Sequence, residues 1–193
     1  TLRSDATLEG GKLHKISGAG WKETEIGTID GFDNPEEGIV VLQEATEGQG
    51  TDIIIMGDGF SKSHFENGNY EKIMKKAYND FFSIEPYASL KEYFNVYYIN
   101  AVSEEDHDAV PTGLNGAQQG DAKTVFNTEF KEGSTNITGN DNAVVAYAEQ
   151  AIRVKGGKGG TECSANDVSS RANKALMIVM VNVECHAGTC DMV

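Results

Sequence analysis

The run Asp52-Ile53-Ile54-Ile55-Met56, closed by Gly57-Asp58-Gly59, constrains the fold of this chain more than any other segment. Consecutive β-branched residues favour extended backbone, because two heavy atoms on Cβ crowd a helix. A run that is apolar at every position buries both faces of its strand, which is the condition inside a parallel sheet. Downstream, Tyr70, Ile73, Met74, Ala77, Phe81 and Phe82 recur at helical spacing, with Glu71, Lys72, Lys75, Lys76 and Asp80 on the opposite side. This pattern predicts an amphipathic helix from near Asn69 that stops before Pro86. A turn ahead of it carries Ser63 and, three residues on, Glu66, the spacing of a capping box. The run Phe94-Asn95-Val96-Tyr97-Tyr98-Ile99-Asn100-Ala101-Val102 predicts a second strand. Residues 52–102 therefore read as one parallel βαβ unit with a right-handed crossover, and the chain as α/β.

The flanking segments differ. Residues 1–50 are polar, acidic and Gly-rich, and only 38–43 reads as a strand. They are expected to form an extended N-terminal arm or a small β-rich lead-in, anchored by Trp21, ahead of an α/β domain over 51–193. Residues 103–139 are a long polar excursion, of the kind that is functional or mobile in a compact domain. Val144, Tyr147, Ala148, Ala151 and Ile152 mark one face of a second helix, capped by Asn140 or Asp141. Ser164 with Asp167 is expected to cap a short helix through Ala172. Residues 175–183 form the most apolar strand, and no helical pattern follows it. One covering layer is therefore expected to be missing, to be replaced by self-association or by a C-terminal half that this chain lacks. The start at Thr1, without Met or a signal peptide, reads as a processed product or a fragment.

Charge and motif chemistry narrow the functions. Sixteen basic and 30 acidic residues give a formal net charge of −14, the wrong sign for neutralising a phosphate backbone, so no nucleic-acid partner is expected. A 39% hydrophobic share excludes a mainly disordered chain. No apolar run reaches the roughly 20 residues of a membrane-spanning helix. Gly57-Asp58-Gly59 follows a strand as a dinucleotide fingerprint would, but Lys62 stands where the third glycine belongs. The Gly-rich tip at 156–160 has Gly159, not Ser or Thr, after Lys158, so it is no phosphate loop. Asp30, Asp33, Glu36 and Glu37 make an acidic turn rather than a calcium loop, because Phe32 occupies a ligand position. Three cysteines, Cys163, Cys185 and Cys190, leave at least one thiol free or paired between chains. Cys185, His186 and Cys190 lack a second CxxC or HxxxH that would complete a zinc site; a small disulfide loop or two ordinary thiols fits the spacing better. There is no G-x-S-x-G and no H-E-x-x-H. Strand-end loops are where α/β proteins place their sites. The candidates there are Asp58, and His107 and Asp108 in the acidic stretch Glu104-Glu105-Asp106-His107-Asp108. His14 and His64 have no partner by spacing.

Several blocks agree, in order, with one family. The run 52–60, then Phe81-Phe82-Ser83-Ile84-Glu85-Pro86-Tyr87, then Tyr93-Phe94-Asn95-Val96-Tyr97 and Ala101-Val102-Ser103 resemble the bacterial IgA-peptidase family of zinc metalloendopeptidases, peptidase M sixty-four. Gly139-Asn140-Asp141, Ile178-Val179-Met180-Val181-Asn182 and Ala187-Gly188-Thr189-Cys190 continue the likeness, which spans about residues 38–193. The resemblance implies part of a metzincin-like catalytic domain, a protein or peptide substrate, and zinc in the complete protein but none on this chain. The zinc-binding helix and its general-base Glu would lie after the block at 176–193, so no catalytic residue or metal ligand carries over. By the same resemblance His186, Ala187, Gly188, Thr189 and Cys190 should run beside the substrate groove. The implied source is a Bacteroidetes-type exported protein, periplasmic, anchored to the outer membrane or extracellular. The implied function is the scaffold and cleft wall of a peptidase, inactive alone. The alternatives are a non-catalytic exported binding module built on that fold and, third, a flavodoxin-like ligand binder.

Overall fold

A computed structural model describes residues 5–9, 12–16, 24–28, 38–107, 110–111, 117–118, 120–130, 137–157 and 162–183. Three short strands come first, β1 (Asp5–Glu9), β2 (Lys12–Ile16) and β3 (Thr24–Thr28), paired antiparallel in the order β1-β2-β3. Then follow β4 (Ile39–Gln43), β5 (Thr51–Asp58), α1 (Lys62–Glu66), α2 (Asn69–Phe81) and β6 (Phe94–Ile99). Two-residue strands β7 (Val110–Pro111), β8 (Ala117–Gln118), β9 (Glu129–Phe130) and β10 (Ile137–Thr138) pair as β7-β8 and β9-β10. The last elements are α3 (Asp141–Lys155), α4 (Ala165–Ala172) and β11 (Leu176–Val181).

The main sheet has the order β11-β5-β6-β4. β5 lies parallel to both neighbours, with Ile53 opposite Leu176 on one side and Val96 on the other. β4 runs antiparallel to β6, Ile39 opposite Ile99. The sheet therefore begins before residue 51: the strand expected at 38–43 is an edge of the α/β sheet.

The apolar run of β5 is explained by two faces. Ile53 and Ile55 join Val96 and Tyr98 under Tyr70 and Met74 of α2. Ile54 and Met56 join Tyr97 and Ile99 under Tyr147, Ala151 and Ile152 of α3 and Val168 of α4. Strand side chains alternate in direction, so a strand sandwiched between helix layers needs apolar residues at both parities. α2 keeps its charges outward, where Lys75 pairs with Glu71 at 2.5 Å and Lys76 with Asp80. The Asn140 side chain caps α3 by accepting from the Ala143 N–H, and Ser164 caps α4 by accepting from the Asp167 N–H. The cap expected at Ser63 lies elsewhere. α1 starts after Ser61, whose N–H is taken by the Asp106 carboxylate at 2.9 Å, so a tertiary contact replaces the local box.

β11 is not a central strand. It stands at the sheet edge, with Met177 and Val179 on the α3 side and Ile178 and Met180 on the α2 side. Both faces have neighbours, yet every residue from Met177 to Val181 is only half-buried and Leu176 is exposed.

Candidate functional site

The carboxyl ends of β5, β6 and β11 meet in one rim. β5 connects through α2 to β6 on one side, while the chain returns through α3 to β11 on the other. The boundary between β5 and β11 is thus the switch point of the sheet, the position at which open α/β folds bind ligands.

Asp58 ends β5 there and is wholly buried. Its Oδ1 accepts from the Phe126 N–H at 2.8 Å. Its Oδ2 accepts from the Thr124 hydroxyl at 2.8 Å, the Thr128 N–H at 3.0 Å and the Thr128 hydroxyl at 2.6 Å. Burying a carboxylate is costly unless its oxygens are met by donors, and four neutral donors from one loop meet these. Asp58 is therefore the anchor that clamps residues 124–128 onto the rim. It presents no free oxygen to a substrate.

Gly59 is the second node. Its φ of +74° lies in the left-handed region, and a Cβ there would stand 2.4 Å from that of His107. Only glycine meets both conditions. Its N–H donates to the Ser103 hydroxyl at 3.0 Å, and its carbonyl accepts from the His107 N–H at 3.0 Å and Asn182 Nδ2 at 2.8 Å. Ser103 Oγ also accepts from the Val125 N–H at 3.2 Å. The loops after all three parallel strands are thereby stitched together. Beneath them the buried Tyr70 hydroxyl donates to the Ile99 carbonyl at 2.6 Å and accepts from the Gly57 N–H at 2.9 Å, tying β5 to β6. Burial pushes that phenol well above its usual value.

His107 is half-buried, its Nε2 lies 3.1 Å from the Thr128 carbonyl, and its ring meets Phe130 edge-on. A carbonyl only accepts, so Nε2 carries a proton. The neighbouring acid that acts at the rim is Asp106, whose Oδ1 takes the Ser61 N–H and lies 3.0 Å from His64 Nδ1. Partial burial works to raise this carboxyl, but the contacts with Ser61 and His64 outweigh it and hold it below the ordinary value. His64 thus gains in space the partner its spacing did not show.

Of the expected site residues, the structure brings Asp58 and His107 to one rim, bridged by Thr128. Asp108, His186, Ala187, Gly188, Thr189 and Cys190 lie outside the described residues, as do Cys185 and the acidic turn at Asp30, Asp33, Glu36 and Glu37. Cys163 is a free thiol, 3.3 Å from Arg171 Nη1. Thr124, Thr128, Ser103 and Asn182 were not visible as site residues. Asn182 alone carried a signal, as the one polar residue within the apolar run 175–183.

Residues 39–138, just over half the chain and including the rim residues of β5, β6 and the loop through Phe130 but not β11 or Asn182, match the family model described as IgA Peptidase M64. No curated protein matches the chain.

Proposed function

This chain belongs to the IgA peptidase M64 family, and on that premise we propose that it is the scaffold and cleft-wall portion of a zinc-dependent endopeptidase acting on protein or peptide substrates. The observation that carries this reading is the rim. Three loops are locked together by Asp58 and Gly59 at the end of the sheet where such folds place their sites.

The family implies zinc, and the described residues do not fit one. No three His, Cys, Asp or Glu side chains among them converge as a zinc site requires. The Asp58 oxygens are filled by donors, and His107 Nε2 faces a carbonyl. No hydrolytic step is routed through them. Their work is positional: they fix the backbone of the wall. The whole sequence also contains no H-E-x-x-H, so in this reading the zinc helix of a metzincin-like domain comes from polypeptide outside the chain.

In sequence, four residues separate β11, which ends at Val181, from His186, Ala187, Gly188, Thr189 and Cys190, and the N–H of Asn182, just past the strand, donates to the Asp58 carbonyl at 2.9 Å. That continuity supports placing those residues along the groove. Gly188→Val in the complete protein should then lower peptide cleavage, and unchanged kinetics would remove them from it. Export from a Bacteroidetes-type cell belongs to the same proposal and rests on the family resemblance; fractionation of the source cells tests it.

The direct experiment is metal analysis and a peptide-cleavage assay on the isolated chain. The reading expects neither stoichiometric zinc nor cleavage. Stoichiometric zinc accompanied by cleavage would overturn it. A second reading, a non-catalytic binding module, is favoured by one observation, the apolar groove beside β11.

A further inference from the structure

The loops after β5 and β6 are held face to face by three rungs. The Ser103 N–H donates to the Phe60 carbonyl at 2.9 Å, the His107 N–H to the Gly59 carbonyl at 3.0 Å, and the Ser61 N–H to Asp106 Oδ1 at 2.9 Å. The first two join neutral backbone groups and carry no charge to titrate. The third ends on a carboxylate, and that carboxylate has a second neighbour. His64, in the first turn of α1, is tied by its own N–H to the Ser61 carbonyl at 3.0 Å and brings Nδ1 to 3.0 Å from the same Asp106 oxygen. Its side chain is 19% exposed, and its ring lies edge-on to Phe60.

The geometry of this contact makes it depend on charge. Nδ1 is buried and no acceptor meets it in line, although Asp106 Oδ1 is within reach. Hydrogen bonds weaken steeply as donor and acceptor leave the line, whereas Coulomb attraction follows distance. A neutral imidazole therefore gains little from Asp106 here, and an imidazolium gains an ion pair. Histidine is the side chain that ordinarily changes charge near neutral pH. Burial works to raise the Asp106 carboxyl, but its contacts with Ser61 and His64 hold it below the ordinary value, so it stays ionised where histidine titrates.

The other charged and titratable groups of the surrounding elements are engaged elsewhere. Lys62 and Glu66 of α1 pair with each other at 3.7 Å, and Glu71 of α2 pairs with Lys75 at 2.5 Å. Glu104 pairs with Lys123 at 3.1 Å, and Glu105 accepts the Lys123 N–H at 3.0 Å. His107 turns its Nε2 to the Thr128 carbonyl, and Asp58 faces residues 124–128. Tyr70, edge-on to Phe60, is a phenol that burial keeps protonated. Among the described residues, Asp106 is the carboxylate that pairs with His64.

We propose that His64 and Asp106 form a pH-operated latch across the rim, in which protonated His64 pins the start of α1 to the loop after β6 and neutral His64 releases it. The sign follows from the pairing. A histidine that gains a carboxylate partner adds stability when protonated, and that stability is lost as pH rises through its titration. The latch is therefore closed in mildly acidic surroundings, down to the point where Asp106 itself takes a proton, and open at mildly alkaline pH. The inference goes beyond the peptidase reading and holds whether or not the rim borders a peptidase cleft.

The test is amide hydrogen exchange of the 193-residue chain, followed by NMR from about pH 5 to pH 8 and corrected for the intrinsic exchange rate at each pH. Protection of the Ser61 amide should be at least ~3-fold greater at the acid end than at the alkaline end, the scale of a partly exposed ion pair. The change should track the titration of the His64 ring resonances, while Ile54 inside β5 shows no such dependence. His64→Gln and Asp106→Asn should each flatten the Ser61 profile. Asp106→Asn keeps an oxygen that can accept the Ser61 N–H, so it removes the charge and leaves the rung. A flat profile in the wild-type chain would overturn the latch, and so would a profile that survives His64→Gln.

Discussion

β5 carries a buried aspartate at each end, and the two are held by opposite means. Asp52, at the amino end, is 3% exposed and faces a charge. Arg171 of α4 grips it in bidentate fashion, Nε to Oδ2 at 2.7 Å and Nη2 to Oδ1 at 2.5 Å, and Asn95 adds a bond at 3.1 Å. Asp58, at the carboxyl end, is fully buried and meets no cation, only two hydroxyls and two backbone N–H groups. The first arrangement joins two distant elements, α4 and β5, through a charge pair. The second shapes one loop through neutral donors. An ion pair fixes where a helix sits; a set of backbone donors fixes the path of the chain itself.

Breaking the pair at Asp52 should cost most. Arg171→Met leaves a buried carboxylate without its cation and should destabilise the chain by about 3–5 kcal/mol in urea unfolding. Adding Asp52→Asn should recover most of that loss, since two neutral groups no longer carry an unpaired charge. A single Arg171→Met that costs under ~1 kcal/mol would show that the pair contributes nothing, contrary to its bidentate geometry.

Asp58→Ala comes next. It strands two hydroxyls and two N–H groups and should cost about 2–4 kcal/mol. Unlike the Arg171 change, it should act locally, loosening 124–128 while β5 stays paired with β6. Thr128→Val removes one hydroxyl bond to a carboxylate and should cost about 1–2 kcal/mol. An Asp58→Ala chain with wild-type stability would mean that water replaces the loop without loss.

The smallest effect is the pH dependence at Asp106. Its carboxyl is held below the ordinary value in the folded chain. A group depressed in this way adds stability that is present above its unfolded value, near pH 4, and is lost as pH falls through the lower folded value. Asp106 is about half exposed, so the effect amounts to a fraction of a kcal/mol. Asp106→Asn should lower stability by that fraction of a kcal/mol above about pH 4 and leave it unchanged below the folded value, so the acid limb of the stability curve flattens.

The comparison also shows what could be read from residues alone. The βαβ unit was legible because Ile53 to Met56 and the α2 pattern each satisfy one strong local rule. The caps at Asn140 and Ser164 were legible for the same reason, since donor and acceptor lie three residues apart. Asp58 was visible as a strand-end acid, but its role was not. Its partners lie 66 to 70 residues away in a polar loop without periodicity. Nothing local distinguishes a Thr that caps a buried carboxylate from one in water. The place of β11 at the edge was hidden too. Apolarity reports burial between layers, but strand order depends on which side of β5 the chain returns to, and that is decided by packing of α3 and α4.

Amide hydrogen exchange at Phe126 and Thr128 tests the central claim, that Asp58 anchors the wall of the rim, most directly. Both N–H groups donate to Asp58. In the wild-type chain they should be protected, and in Asp58→Asn they should exchange at least ~100-fold faster while Ile54 and Ile55 in β5 change little, because loss of a local anchor opens the loop and not the sheet. Unchanged protection of Phe126 and Thr128 in that variant would contradict the account, since the loop would then be held by something other than Asp58.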